Sequence, residues 1–238
     1  MALWTIVTTL VYTLLIGIPV ILIALLSKTG RAPYLLGKIW VRLIMATNRV
    51  RVQVSGLENL AKRTSYVFIS NHMSNLDPLA VARSIPNTLK FVAKKSLARI
   101  PVFGWAAKLA RMIFIDRTDS AAAIETINRY VKDLKNGISA FFFAEGTRSV
   151  NGAMKPFKKG GIVFAIKAQL PIVPVTILGS NRLMPKNSVR IRAGIMRIIV
   201  GRPIETRGFT LNDRDLLLKK VESVIRATLE VKAGEMSS

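Results

Sequence analysis

The sequence contains no cysteine and only one histidine, His72, among its 238 residues. The lack of cysteine excludes disulfides, thiolate metal sites and a cysteine nucleophile, and a lone histidine excludes any site that needs two imidazoles. Acidic residues are scarce as well: 13 Asp and Glu stand against 36 Lys and Arg, a formal net charge of +23. This charge favours polyanionic partners, such as nucleic acid, anionic lipid or phosphorylated and acidic substrates. The length suits one domain, or one domain with a short appendage, and the 50% of hydrophobic residues is ample for a packed core.

The amino-terminal segment from Leu3 to Leu26 contains no charged residue. As a helix it would extend about 36 Å at roughly 1.5 Å per residue, which exceeds the hydrocarbon core of a bilayer at about 30 Å. We therefore predict a membrane-embedded helix, or a helical hairpin if Gly17 and Pro19 interrupt it. A buried core helix is the alternative, because four threonines dilute the apolar character. A secretory signal is not indicated, because the positively charged start of such a signal is missing.

Six basic residues follow, with no acidic residue before Glu58: Lys28, Arg31, Lys38, Arg42, Arg49 and Arg51. The positive-inside rule places this flank, and the domain behind it, in the cytoplasm. Residues 33–47 mix cations with apolar side chains, which predicts either an interfacial helix with Trp40 in the headgroup layer or an amphipathic helix packed on the domain. The predicted organisation has three parts: a membrane anchor with an interfacial helix at 1–48, a folded domain at 49–233 and a tail at 234–238.

The remainder alternates between short apolar segments and helical stretches, which predicts an α/β fold with a mixed, mainly parallel sheet covered by helices. The expected strands are residues 50–54, 66–69, 91–93, 113–115, 140–143 and 172–177. Residues 189–200 alternate again, and we expect edge strands there. Thr210 and Asp213 resemble a capping box that opens a last helix, ending near Val231. Asp119 or Ser120 is the expected cap of a helix before the fifth strand.

His72 comes directly after a predicted strand, at the carboxyl end where sites in open α/β sheets gather. Asp77 follows five residues later, and on one continuous helix the two side chains would be about 140° apart. However, Asp77-Pro78 is typical of an N-cap followed by proline in the first turn. The chain before it would then be a loop, which can fold the carboxylate back onto the imidazole and leave the second ring nitrogen as a base. The alternative is that Asp77 only caps a helix.

Two further strands end in polar residues. Glu145-Gly146-Thr147-Arg148 ends the predicted strand at 140–143; its glycine tolerates positive φ, and its arginine offers a planar fork suited to phosphate. Asp116-Arg117 ends the strand at 113–115 and supplies another candidate phosphate ligand. Surface turns with solvated cations are the alternative for both, and the sequence contains no nucleotide P-loop.

In this order, these motifs resemble the glycerolipid acyltransferase family, whose best-known members are 1-acyl-sn-glycerol-3-phosphate acyltransferases. The motifs are Asn71-His72-x4-Asp77, Phe114-Ile115-Asp116-Arg117, Glu145-Gly146-Thr147-Arg148 and Ile172-Val173-Pro174-Val175. The resemblance covers about residues 50–205, and a hydrophobic amino-terminal segment is also similar to members of that family.

The resemblance implies a membrane-bound enzyme that transfers a fatty acyl group from a thioester to the sn-2 hydroxyl of lysophosphatidic acid, giving phosphatidic acid. His72 would be the general base and Asp77 its orienting carboxylate. The ligands of the acceptor's glycerol phosphate would be Arg117, Glu145, Gly146, Thr147 and Arg148. No metal or cofactor is expected, and acyl-CoA or acyl-acyl carrier protein would be the co-substrate. The expected location is the cytoplasmic side of a bacterial inner membrane.

Three positions depart from the usual family pattern: Arg111 stands where glycine is usual, Ala144 where proline is usual, and Asn75 where an aromatic residue is common. Arg111 is expected to add bulk and charge near the acceptor, so the resemblance indicates the reaction more firmly than the acceptor. The alternatives are the same chemistry on another lysolipid, for example a lyso-ornithine lipid, or a non-enzymatic basic protein that binds membranes or nucleic acid. We expect anionic membrane lipid as a partner and no specific nucleic acid, because no nucleic-acid-binding module is recognisable.

Overall fold

A mixed sheet forms the centre of the protein in a computed structural model that describes residues 2–27, 29–115, 125–126, 129–149 and 153–234. Its strands in these residues are β1 (Val50–Ser55), β2 (Val67–Ser70), β3 (Thr88–Lys94), β4 (Ile113–Ile115), β5 (Ile138–Phe143), β6 (Ile172–Leu178) and β7 (Gly194–Val200). The strand order is β1-β7-β6-β2-β5-β3-β4, and every neighbouring pair is parallel except β6 and β7. The predicted mixed, mainly parallel sheet is therefore confirmed.

The prediction of edge strands at residues 189–200 was wrong. Only Gly194–Val200 is a strand, and it lies between β1 and β6 rather than at an edge. Met196 and Ile198 are buried, whereas Arg197 points outward, where its Nε donates to Gln53 Oε1 at 3.1 Å. Alternation reports that one face of a strand is solvated, and it carries no information on whether the strand has one neighbour or two.

The α-helices whose bounds the structure defines are α1 (Ala2–Leu26), α2 (Arg31–Thr47), α3 (Leu76–Ser84), α4 (Phe103–Leu109), α5 (Gly160–Ala168), α6 (Ser180–Leu183) and α7 (Arg214–Gly234). Alternate strand residues face opposite sides of the sheet, which produces two cores. One core packs the sheet against α2 and α3, around Met45 and Leu76. The other packs it against α5 and α7, around Phe164 and Val221. The two helix layers therefore lie on opposite faces.

The last helix begins as predicted. Thr210 Oγ1 accepts from the Asn212 N–H, and the Asp213 carboxylate accepts from the Thr210 N–H at 2.8 Å, so that the capping box is complete. A 3₁₀ turn leads into α7, which extends to Gly234. The predicted cap at Asp119 or Ser120 lies outside the described residues.

Helix α1 is continuous through Gly17 and Pro19, so the interruption considered from the sequence does not occur. Two of the threonines that dilute its apolar sequence, Thr5 and Thr13, bond to α2 or to the residue that follows it. Thr5 Oγ1 donates to an asparagine oxygen just after α2 at 3.0 Å, and Thr13 Oγ1 accepts from Trp40 Nε1 at 3.1 Å. Only 11% of the most apolar stretch is buried, and the helix is long and apolar enough to cross a membrane. This exposure distinguishes α1 from the core helix of a soluble protein.

Helix α2 is packed on the protein rather than free in an interface. Trp40 is partly buried between α1 and α4, with its ring centroid 6.1 Å from that of Phe103. The outer side of the same helix still exposes Leu35, Ile39 and Leu43. The packed alternative therefore holds for α2, and an exposed apolar stripe remains on the side away from its buried residues Val41, Ile44 and Met45.

Lys90 on β3 connects the turn between α1 and α2 to the rest of the fold. The residue is 2% exposed, and its Nζ donates to the Thr29 carbonyl at 3.0 Å and to the Ala110 carbonyl at 2.7 Å. Burial lowers the pKa of Lys90 from its ordinary 10.5 to about 8; Arg111 reinforces this shift electrostatically and Asp133 opposes it. This buried amine thus adds a polar link between the turn and the sheet to the hydrophobic packing of α2.

We predict that Lys90 makes stability dependent on alkaline pH. Between about pH 8 and 10.5 the unfolded chain keeps the Lys90 proton while the folded protein has released it, so the free energy of unfolding rises with pH, by at most about 1.4 kcal/mol per unit. Denaturant unfolding of wild type, compared with Lys90→Met over pH 7.5–10, measures this rise as a growing difference. Lys62→Met, at an exposed lysine, is the control. Parallel curves for wild type and Lys90→Met would refute the prediction.

Candidate active site

The loop between β2 and α3 places His72 against Asp77. His72 Nδ1 lies 2.8 Å from Asp77 Oδ2, and the same oxygen accepts the backbone N–H groups of Met73 at 2.7 Å and Ser74 at 2.8 Å. Asp77 is completely buried, and its Oδ1 has no hydrogen-bond partner among the described residues. The carboxylate is therefore fixed by the loop itself, and the imidazole is aligned on a fixed acceptor.

The sequence placed the start of this helix incorrectly. Helix α3 begins at Leu76, with Asn75 as an N-cap that makes no side-chain hydrogen bond. Asp77 is therefore inside the first turn, and it bonds backbone donors upstream of itself. The predicted return of the carboxylate onto the imidazole does occur, but through these upstream contacts rather than through an N-cap at Asp77.

Three hydrogen bonds, made by two side chains, hold this loop to the β6 side of the sheet. Buried Asn71 donates from Nδ2 to the Ile177 carbonyl and accepts the Ile177 N–H at Oδ1, each at 2.9 Å. Ser74 Oγ donates to the Met184 carbonyl at 2.7 Å. Sequence reasoning assigned no role to either side chain; the signal that was present is a polar run directly after a fully apolar strand.

The orientation of the imidazole defines its usable nitrogen. With Nδ1 directed at a carboxylate, the neutral ring carries its proton there and leaves the Nε2 lone pair free. The ring stacks on Phe143, with centroids 4.1 Å apart and planes 25° apart, and the side chain is 16% exposed. Nε2 has no hydrogen-bond partner within the described part of the chain. The site therefore presents one oriented base at the carboxyl edge of β2.

The motif after β5 holds the backbone of His72. Glu145 is 3% exposed; its Oε1 accepts the His72 N–H at 2.8 Å and its Oε2 accepts the Lys155 N–H at 3.0 Å. The Ser149 N–H donates to the His72 carbonyl at 2.9 Å. Burial raises the pKa of Glu145, and the two backbone N–H groups partly oppose this shift. The resemblance assigned Glu145 to acceptor binding, but both of its oxygens are directed at the protein backbone.

The rest of that motif is more accessible. Gly146 has φ of 70°, and a Cβ there would lie 3.0 Å from the Lys158 side chain, so both backbone conformation and space favour glycine. Thr147 is exposed and Arg148 is half-buried; Arg148 has no hydrogen-bond or ion-pair partner among the residues that the structure describes. Arg117 lies outside the described residues. Among the predicted phosphate ligands that the structure describes, Arg148 is therefore the candidate to bind an anionic group.

The structure explains two departures from the family pattern. Arg111 has φ of 57°, a left-handed conformation that glycine adopts without strain. It precedes β4, and its guanidinium lies 3.7 Å from the Asp133 carboxylate; the expectation of added charge near the acceptor stays a prediction. The Ala144 N–H donates to the Ser70 carbonyl at 2.9 Å. A proline at 144 would lack this hydrogen bond, which extends the β2–β5 pairing towards the site.

A family profile, sequence relatives and a solved structure that are similar to this chain are all acyltransferases. A family profile described as Acyltransferase matches residues 51–178. The chain is 33% identical to the chloroplastic 1-acyl-sn-glycerol-3-phosphate acyltransferase BAT2 of Brassica napus over 81% of this chain, and it spans about 60% of that relative's length. It is 34% identical to the 1-acyl-sn-glycerol-3-phosphate acyltransferase of Saccharomyces cerevisiae, covering 88% of this chain and 70% of the yeast protein. The crystal structure of the 1-acyl-sn-glycerophosphate acyltransferase PlsC from Thermotoga maritima is similar, with a TM-score of 0.80, 27% identity and coverage of 98% and 95%.

Glu145→Gln tests the backbone role of Glu145. A glutamine offers one acceptor oxygen and one amide donor, so it cannot accept both N–H groups, and we expect the free energy of unfolding to fall by about 1–3 kcal/mol. Since His72 is the single histidine, ¹⁵N-histidine NMR reports on this ring alone, and we expect its signal to shift or broaden. Glu58→Gln, at an exposed turn position, is the matched control and should change neither. If both variants behave like wild type, Glu145 does not position His72.

Proposed function

The chain belongs to the acyltransferase family, and on that premise we propose that it transfers a fatty acyl group from a thioester to the free sn-2 hydroxyl of lysophosphatidic acid, forming phosphatidic acid in phospholipid biosynthesis. The observation that carries this proposal is the His72–Asp77 pair, in which a buried carboxylate holds Nδ1 and directs Nε2 away from it. The relatives named 1-acyl-sn-glycerol-3-phosphate acyltransferase support the choice of acceptor.

The geometry supports general-base catalysis by His72. The acceptor hydroxyl is a weak nucleophile, so Nε2 takes its proton as the oxygen attacks the thioester carbonyl and a C–O bond forms. The tetrahedral intermediate collapses with cleavage of the C–S bond, and the leaving thiolate takes the proton back from the imidazolium. Asp77 stabilises the imidazolium between these steps. The two substrates supply every atom, so we propose no resident metal or cofactor; acyl-CoA or acyl-acyl carrier protein is the co-substrate.

We assign acceptor binding to the loop after β5. Arg148 supplies a planar guanidinium that can bind phosphate through two hydrogen bonds, and Gly146 permits close approach of the backbone. Thr147 and Arg117 complete the proposed phosphate site. Glu145 contributes by holding the His72 backbone, which fixes the distance between base and phosphate ligands. Binding the phosphate then determines which hydroxyl reaches Nε2.

We also propose that the α1–α2 pair holds the enzyme in a membrane, with the sheet on the cytoplasmic side of a bacterial inner membrane. Exposed leucines along α1 and the basic residues after it support this orientation. Helix α4 packs on α1, and Trp105 on α4 is 55% exposed beside the exposed cation Lys108. Anionic headgroups attract each nearby Lys or Arg by about 1 kcal/mol, so the positive charge of the chain would strengthen its binding to an anionic membrane.

His72→Ala tests the proposed reaction. Purified protein in lipid nanodiscs is assayed for transfer from acyl-CoA and from acyl-acyl carrier protein to lysophosphatidic acid. Loss of the base is expected to lower kcat by about 10²–10⁴-fold. Circular dichroism and thermal unfolding confirm that the variant is folded. Unchanged turnover in a folded His72→Ala protein would remove His72 as the base, and wild type that acylates only a lysolipid without phosphate would leave the reaction class but replace the acceptor.

Arg148→Ala tests the phosphate site. Removal of one charge-assisted hydrogen-bond donor is expected to raise KM for lysophosphatidic acid about tenfold, with a much smaller change in KM for the donor. Arg207→Ala, at an exposed position outside the motif, is the matched control. Equal effects of Arg148→Ala on both substrates would make Arg148 a structural residue.

A further inference from the structure

A groove lies beside the catalytic loop that the proposed base and phosphate ligands do not use. Its volume is about 380 Å³. Apolar side chains contribute to its lining: Met73, Met154, Leu178 and Leu229. Arg182 of α6 and Arg226 of α7 lie along it, together with Glu230. We call this feature the α7 groove.

The α7 groove meets the catalytic loop from the side opposite Phe143. Met73, which follows His72 directly, is part of the lining, and Leu178 is the last residue of β6. In the sheet, β6 pairs with one side of β2, and β5, which carries Phe143, pairs with the other. The ring of His72 stacks towards β5, so the groove reaches the loop by a separate approach. A second approach would let the acyl donor enter without displacing the acceptor.

The α7 groove also lies on the aqueous side of the proposed arrangement. Helix α7 packs on the core that contains α5, whereas α2 and α3 pack on the opposite face of the sheet. A ligand that reaches the groove past α7 therefore does not pass the apolar helix pair. This position suits a water-soluble substrate rather than a lipid delivered from the bilayer.

The charges along the groove indicate the chemistry of that substrate. Arg182 is exposed and has no ion-pair partner in the described residues. Arg226 is paired with Glu222 at 2.9 Å but remains 48% exposed on its side chain. Two guanidinium groups above an apolar floor match a slender, weakly polar chain that ends in a phosphate. Glu230 disfavours a second anionic group at its own position.

We propose that the α7 groove binds the phosphopantetheine arm of the acyl donor, with the phosphate at Arg182 and Arg226 and the thioester end towards Met73 and His72. This inference rests on the proposed function, because it assumes a thioester donor. The arm and its phosphate are common to acyl-CoA and acyl-acyl carrier protein, and the groove recognises the part that both donors share.

Charge reversal tests the phosphate contacts. Arg182→Glu and Arg226→Glu are expected to raise KM for the donor about tenfold each, with kcat at saturating donor and KM for lysophosphatidic acid close to wild type. Lys220→Glu, an exposed position on α7 that does not line the groove, is the matched control. Arg182→Gln checks that the effect follows loss of the guanidinium rather than a folding defect, which thermal unfolding monitors separately.

The donor series separates phosphate recognition from simple crowding. Acyl-pantetheine lacks the phosphate, so its KM should be the same in wild type and in both arginine variants. Leu229→Trp, which fills the groove, should raise KM for acyl-pantetheine, acyl-CoA and acyl-acyl carrier protein alike. The arginine variants should raise KM for acyl-CoA and for acyl-acyl carrier protein to a similar extent, because both donors carry the phosphopantetheine phosphate.

Two results would overturn the assignment. The first is a donor KM in the arginine variants no higher than in Lys220→Glu. The second is an equal rise with acyl-pantetheine, which would show that the phosphate is not the group recognised. Failure of wild type to use any thioester would instead refute the proposed function, so the two failures are distinguishable.

Discussion

A single buried oxygen, Oδ2 of Asp77, organises the site. It accepts two backbone N–H groups from the loop and faces Nδ1 of His72, so one acceptor sets both the loop conformation and the ring orientation. The loop is also held from outside, because Glu145 and Ser149 bond the N–H and the carbonyl of His72. Phe143 supports one face of the ring. An imidazole held at so many points needs little reorganisation to act as a base, which is the condition for efficient proton transfer.

The parallel sheet gives these contacts their location. Strands β2 and β5 are adjacent and parallel, so the segments that follow them, although separated by about seventy residues of sequence, leave the sheet at the same edge. The sequence was sufficient to predict the mixed sheet and most of its strands, because apolar runs are local signals. The spacing left the contact between His72 and Asp77 open, and the family resemblance implied it. The direction of the Glu145 side chain was not predictable, because its partners are backbone groups of distant residues. The position of β7 in the sheet was not predictable either, because the alternation of apolar and polar residues does not show which strands lie beside it.

Hydropathy predicted the length of the amino-terminal helix correctly, but it did not show how polar and apolar side chains are distributed around the helix. Thr5 and Thr13, which lower the apolar character of α1, bond to α2 or to the residue after it, so the exposed surface of α1 is more apolar than its sequence average. A polar side chain that has a hydrogen-bond partner within the fold adds no polar group to the exposed surface, and residue type alone does not show this. The departure at Arg111 is similar: the sequence alone does not show that this residue has a left-handed backbone conformation, which glycine would adopt without strain.

The separation of the helix pair and α7 by the sheet has a kinetic consequence for the proposed reaction. One reactant and its product would stay in a two-dimensional phase, while the carrier and the released thiol diffuse in three dimensions. The abundance of the lipid reactant is then measured by its mole fraction in the bilayer rather than by its bulk molarity. Diluting the vesicles at constant composition would leave that quantity unchanged, whereas adding inert lipid would lower it.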